Sequence, residues 1–326
     1  AYPSRVEAVQ ASKVTGNSYV SLIANLKLAI IMRRRGMLRE AIEICEQQME
    51  LAAEIGMAQT VLAGWLLAIW GETLAEINDL PGARQKAQMS AERLERDGDL
   101  AMIGSSYLGL IRIMFSCGDF ASAEEYFHKV ERLSRESAMP PWITNLAASW
   151  QARIWLVQGK NTAVSSWVSE QELDPAENIT YVRETIQVES ARFFITQRRL
   201  DEADAVLERL HGPAQSFGRT WRVIEILILQ ALVHQRAGDT DRAITTLEQA
   251  LTIAEPGGFI RIFVDEGPPM AQLLQKAAAH GIMPDYVRRL LSAVPTAEPQ
   301  QIVPLETHSA FRNPKLVLSE AEASAI

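Results

Sequence analysis

Three arginines, Arg112, Arg153 and Arg192, fall at one place in a pattern that recurs along the chain. Aligned on a turn that returns about every forty residues, that place reads Ile30, Glu72, Arg112, Arg153, Arg192 and Leu232. The common register sets the three on one face of successive hairpins, which is expected to be the inner, concave one. A guanidinium presents a planar fork of donors that fits a carboxylate or a phosphate. In a chain of net charge −8, such a column is a local positive stripe. Two chemistries suit it. One is contact with an anionic ligand or an acidic partner. The other is internal pairing, with Glu72, Glu189 or Glu225 bridging to an arginine across a neighbouring helix. Trp65, near the start of its helix, is expected on the same side. The candidate contact residues are therefore Arg112, Arg153, Arg192, Glu72, Trp65 and Glu225. Trp70, Trp150, Trp155, Trp167 and Trp221 fall at helical spacing and read as core.

Other chemistry is poorly represented. The histidines are His128, His211, His234, His280 and His308, and none pairs with another at metal-ligand spacing. There is no Cys-x-x-Cys, no His-Glu-x-x-His, no Gly-x-Ser-x-Gly and no G-x-x-x-x-G-K-[ST] phosphate loop. Neither catalysis nor a metal is expected. Cys45 and Cys117 sit in helical patterns and read as small buried residues of a reducing compartment. The acidic balance, with pI near 5.3, argues against a broad nucleic-acid-binding surface. No uninterrupted apolar stretch is long enough to span a bilayer, and a cytoplasmic location is expected.

The elements that position these residues follow from the turn. Its central residue is Gly36, Asn78, Gly118, Gly159, Arg198 and Gly238, at intervals of 39 to 42. A fixed period in this range marks a solenoid. Seven residues before the turn stands Ala29, Gly71, Ile111, Ala152, Ala191 or Ala231. Five after it stands Ala41, Ala83, Ala123, Val164, Ala203 or Ala243. Four further on, Cys45, Ala87, Phe127, Leu207 and Leu247 continue the same face. Small residues on both sides, with Ile111 and Val164 the exceptions, let helix A approach helix B closely. The turn glycines allow positive φ, and Asp119 and Asp239 are placed to cap the second helix. Pro140-Pro141 starts a new helix. The expected fold is all-α: a right-handed superhelix of about six helix–turn–helix repeats.

The period predicts three regions. Residues 1–17 are the end of a preceding helix and a turn. Residues 18–294 are the repeat domain, with a short second helix near Thr162–Glu170 and a loop at Leu173–Glu177. After Ala254 the period stops. Phe259–Val264 is β-prone, predicting an extended segment over 258–267, then short helices near Met270–His280 and Pro284–Val294. Residues 295–326 read as a linker toward a further domain.

The spacing Ala243, Leu247, Ala250, with the small residue of the first helices, resembles tetratricopeptide-like repeats of longer period. The run from Ala250 to Met270, ALTIAEPGGFIRIFVDEGPPM, is similar to the end of the helical-repeat domain of the large ATP-dependent LuxR-type regulators, the MalT-like group. The resemblance covers about residues 18–294. It implies the sensor part of a transcriptional regulator, taking a small-molecule effector or a regulatory protein in its concave groove. It implies ATP only in a separate N-terminal domain, and DNA contact only through a C-terminal helix-turn-helix. Leu318-Ser319-Glu320-Ala321-Glu322 is similar to the opening of that domain, with Ala in the usual Arg place. Contacts with the regulator's other domains are implied, and an uncapped repeat end is open to homodimerisation. Without a small ligand, the same scaffold would serve protein interaction or self-association alone.

Overall fold

All six turn positions have left-handed backbone: Gly36, Gly118, Gly159 and Gly238 at φ 73–86°, Asn78 at 70° and Arg198 at 58°. Each ends a helix and reverses the chain, so the period is a periodicity of backbone conformation. The architecture is that of a computed structural model describing residues 18–171 and 181–295. The chain divides into units of residues 1–294 and 295–326, and the description concerns the first. The expected N-terminal helix end, the loop at 173–177 and the linker beyond Pro295 lie outside the described residues.

Among the described residues six hairpins follow in order: α1 (Ser18–Arg34) with α2 (Leu38–Glu54), α3 (Val61–Glu76) with α4 (Leu80–Asp97), α5 (Leu100–Ser116) with α6 (Phe120–Glu136), α7 (Pro141–Val157) with α8 (Asn161–Glu170), α9 (Tyr181–Thr196) with α10 (Leu200–Ser216), and α11 (Thr220–Ala237) with α12 (Thr240–Ala254). The small residues lie at the contacts. Ala29, Ile111, Ala152, Ala191 and Ala231 are fully buried, as are Ala41, Ala83, Ala123, Val164, Ala203 and Ala243. A Cβ on Gly71 would stand 3.0 Å from the carbonyl of Ala83, closer than such contacts normally come, so glycine eases this approach of α3 to α4. Asp119 and Asp239 cap as expected, accepting from Ser122 N at 3.1 Å and Arg242 N at 3.0 Å. Of the cysteines, Cys45 is fully buried, and burial pushes its thiol up to about 12. Cys117 ends α5 and is only half-buried.

The two layers differ in kind. The first helices pack on their partners and on each other: α1 on α3, α3 on α5, α5 on α7, α7 on α9, α9 on α11. Accordingly α11 is buried without interruption from Arg222 to His234, whereas α6 buries only Ala123 and Val130. A helix covered on several sides is apolar around its circumference, and one facing water is amphipathic. The inner layer also closes: α11 touches α1. The turn at Gly36 meets the start of α11 so tightly that a Cβ there would lie 3.1 Å from Thr220 Cγ2 and 3.3 Å from Phe259. The inner helices therefore complete one turn of the superhelix.

The segment after α12 departs from the expectation. Residues 258–267 are not extended. Glu255–Gly257 is a 3-10 turn, Gly258 reverses the chain at φ 75°, and Arg261–Val264 is one helical turn, α13. The β-prone residues are buried by tertiary contacts that favour a tight helical turn over any strand partner, with Phe259 1% and Phe263 0% exposed. The short helices are α14 (Pro268–Ala279) and α15 (Pro284–Ser292). Tyr286 of α15 donates to the Phe259 carbonyl at 2.5 Å.

Candidate ligand-binding cavity

The segment 257–266 lies inside the closed layer and touches almost every inner helix. Ile260 N donates to the Glu76 carbonyl at 2.9 Å, and Ile262 N to Glu76 Oε1 at 2.8 Å, at the end of α3. Arg261 donates to the Ser116 carbonyl of α5 at 2.6 Å, to Asn78 Oδ1 at 3.3 Å, and to Asp265. Ser116 Oγ donates to Asp265 Oδ2 at 2.6 Å. Glu266 accepts from Arg153 of α7 at 3.0 Å and from Arg192 of α9 at 2.7 Å. Backbone that would be orphaned in an apolar interior is thus paired to side chains and carbonyls of the inner layer.

The arginine column is where the repeat places it, on the inner face of three successive hairpins. Each member is paired. Arg112 bonds to Glu76 and stands 3.9 Å from Glu72, which is itself held at 2.8 Å by Arg33. Arg153 reaches Glu189 at 3.8 Å, Glu225 at 3.9 Å and Glu266. Arg192 donates to Glu189 at 2.8 Å and to Glu225 at 2.6 Å besides Glu266. Glu225 also bonds to Arg222, which contacts Glu184 at 3.3 Å. Internal pairing is therefore what the column does, through the three expected carboxylates and through Glu76 and Glu266 as well. Burial alone would push Glu225 up, but Arg222, Arg192 and Arg153 outweigh it and bring the carboxyl down to about 2. Glu189 goes the other way: burial pushes it up, against the pull of Arg192 and Arg153.

Beside this network a cavity of about 320 Å³ opens. All six inner helices reach it, and Phe259, Ile262 and Asp265 close it on the side of the C-terminal segment. All six expected contact residues belong to this interior, and Trp65, Glu72, Arg112, Arg153 and Glu225 line the cavity itself. Arg192 stands behind the wall, 6% exposed. Two tryptophans expected in the core, Trp150 and Trp221, line the cavity instead, joined by Trp142, which sequence reasoning did not single out. Trp167 is core as expected, 8% exposed. The ring faces are held by cations: Lys27 Nζ lies 4.3 Å from Trp65, Arg153 5.3 Å from Trp150 and Arg222 4.2 Å from Trp221. Five basic and five acidic side chains line the wall, so it carries no net charge. Such a surface offers flat apolar faces beside oriented donors and acceptors.

Among the described residues no group of three or more His, Cys, Asp or Glu is placed to hold a metal ion. Among them too, no helix is long and apolar enough to cross a membrane.

Six stacked hairpins around an aromatic and charge-paired cavity define a tetratricopeptide-like repeat domain. The family model described as the MalT-like TPR region matches residues 1–280, and the chain belongs to that family. It is 28% identical over 271 residues to the HTH-type transcriptional regulator MalT of Yersinia pestis (strain Pestoides F), covering 82% of this chain and 29% of the relative. It is 24% identical over 273 residues to MalT of Vibrio campbellii (strain ATCC BAA-1116), covering 82% of this chain and 30% of that protein. The chain thus spans less than a third of the length of these relatives. A tetratricopeptide repeat protein from Parabacteroides merdae ATCC 43184 aligns over 90% of this chain and 98% of its own at 14% identity, with a TM-score of 0.31.

Proposed function

We propose that this domain is the effector-sensing part of a cytoplasmic transcriptional regulator, and that it binds a small uncharged molecule in the cavity within its closed inner layer. The regulator context rests on family membership and on the MalT relatives, which are HTH-type transcriptional regulators. The observation that carries the binding reading is the cavity, which unites all six inner helices and the C-terminal segment around Trp65, Trp142, Trp150 and Trp221. Its volume falls at the lower end of the range for small-molecule pockets, and its aromatic faces stand beside charge-paired polar groups.

Two features refine the ligand. The arginines are already neutralised by buried carboxylates, and the wall is charge-balanced, so an anion would meet no uncompensated cation. That favours an uncharged, hydroxyl-rich molecule over a carboxylate or phosphate. The axis of the superhelix is occupied by residues 257–266, which favours a small molecule over a partner helix. Recognition, and not catalysis, is the role these residues support.

The test is thermal unfolding against a panel of uncharged polyhydroxylated compounds, organic acids and nucleotides. A ligand of the folded state raises Tm with its concentration. The reading expects stabilisation from an uncharged compound that is lost on Trp65→Ala. Stabilisation by anions alone would overturn the choice of ligand, and stabilisation by none would leave a protein-interaction scaffold.

A further inference from the structure

Glu266 has only a share of its arginines. Three carboxylates, Glu189, Glu225 and Glu266, converge on Arg153 and Arg192. Glu225 has a further cation in Arg222. Glu189 has none, and it is the least satisfied of the three. Its Oε1 accepts from Arg192 at 2.8 Å, while its Oε2 is buried and accepts no hydrogen bond among the described residues. A buried acceptor without a donor is costly. Arg192 is the nearer cation, 2.8 Å from Oε1 against 3.8 Å for Arg153, and its Nε and Nη2 are engaged by Glu266. Glu189 and Glu266 thus compete for one guanidinium, with donors on the same rigid fork.

The backbone beside Glu266 turns on a glycine. Gly267 follows at φ 72° and ψ −152°, a conformation open to glycine and strained for other residues. Pro268 then begins α14 at once. On the other side, Asp265 and Ile262 line the cavity. One short stretch therefore runs from the cavity wall, through the contested carboxylate, to a glycine joint and the terminal helices.

We propose that Glu266 is a latch. When closed, it sits between Arg153 and Arg192. When open, Arg192 grips both oxygens of Glu189, and the chain turns at Gly267 to shift α14 and α15. This rests on the reading of the cavity as a ligand site only for what operates the latch: an occupant touching Ile262 and Asp265 favours the closed position, because those side chains meet it only there. The latch itself is a property of the unliganded protein and is testable without any ligand.

The experiment is hydrogen–deuterium exchange of the unliganded chain, read over residues 259–267 and over the core of α9 and α11. Glu266→Gln weakens the closed position and should speed exchange in 259–267 by tenfold or more, with the α9 and α11 amides changed far less. Glu189→Gln removes the competitor and should slow exchange in 259–267 by several fold. A merely structural change would shift exchange in 259–267 and in the α9 and α11 amides together, in either direction. Faster or unchanged exchange in Glu189→Gln overturns the latch, as does Glu266→Gln loosening α9 and α11 as much as 259–267. Should Glu266→Gln fail to fold, Glu189→Gln decides alone: slowing confined to 259–267 supports the latch, and equal slowing in α9 and α11 overturns it. Failure of every compound to stabilise the protein would sink the cavity reading and leave this outcome untouched.

Discussion

Arg192 and Glu266 meet at 2.7 Å across 74 positions of sequence, and their contact joins the fifth hairpin to the segment that follows the last one. Both are under a tenth exposed. A charge in such a place is tolerated because it is paired several times over, and the pairing becomes a liability once one member is lost. Replacing Arg192 by Met leaves Glu189, Glu225 and Glu266 with too few cations. The expected cost is about 3–5 kcal/mol, the usual range for breaking a buried pair. Urea unfolding measures it; a loss below about 1 kcal/mol would mean the network is far better solvated than its burial indicates.

Ring closure depends on Gly257. A Cβ at this residue would collide with the carbonyl of Gly36 and lie 2.8 Å from Phe259 Cε2. The obstacle is partly backbone from the first hairpin, which has little room to yield. Gly257→Ala should cost about 1–3 kcal/mol, the scale of overpacking, despite the lower chain entropy of alanine when unfolded. Chemical denaturation reads this directly, and a stabilised variant would mean that the first and last hairpins are not in register as described.

The two turn positions that are not glycine should respond oppositely to becoming glycine. Arg198 holds φ 58° with its side chain exposed. Left-handed backbone costs a residue with a Cβ roughly 1–2 kcal/mol. Arg198→Gly should therefore gain up to about 1 kcal/mol after glycine's entropy is counted. Asn78 holds φ 70°, but its Oδ1 accepts from Arg261 of the central segment. Asn78→Gly gives up that bond and should be neutral or destabilising. Thermal melts of the pair check both signs.

Those six turns also show what sequence makes legible. The positions at which the period was placed are the positions with left-handed backbone, because small residues at fixed offsets report a contact that recurs in every hairpin. The inward face of Arg112, Arg153 and Arg192 follows from the same alignment, as do Glu72, Glu189 and Glu225 as partners. Glu266 was invisible because it lies outside the repeat, 113 positions from Arg153 and 74 from Arg192, where no period aligns it with anything. Phe259–Val264 misled because β propensity reflects a half-buried pleated surface, and here the residues are buried by helices on several sides. Trp150 and Trp221 read as core because helical spacing separates apolar from exposed faces but does not distinguish a packed interior from a walled cavity. Trp142, in the first turn after Pro141, carries no positional signal at all.

Acid should weaken the network through Glu225. Its carboxyl is held at about 2 in the folded protein against an ordinary value of 4.5. A depressed folded value gives stability that is fully present above 4.5 and is lost as pH falls toward 2. The difference in unfolding midpoint between the wild type and Glu225→Gln should be largest at neutral pH and should close over that window. Glu189, raised by burial, has the opposite sign: its contribution is fullest below the ordinary value and fades as pH rises through its folded value. Glu189→Gln should accordingly gain relative to the wild type as pH rises from mild acid. Urea titrations across the acid range, with both variants in parallel, give the two signs.

The most direct measurement uses Gly109, which lines the cavity from within α5. A Cβ there meets nothing closer than Glu72 Oε1 at 3.5 Å, an ordinary contact, and a helical glycine is itself worth about 1 kcal/mol less than alanine. Gly109→Ala should therefore stabilise the fold, and Gly109→Leu should project into the cavity from the same point without removing any polar group. Calorimetric titration with a compound that raises the Tm of the wild type is predicted to show binding to Gly109→Ala and none to Gly109→Leu, with Gly109→Leu as stable as the parent. Undiminished binding by Gly109→Leu would contradict the account, because the ligand would then occupy some other place on the protein.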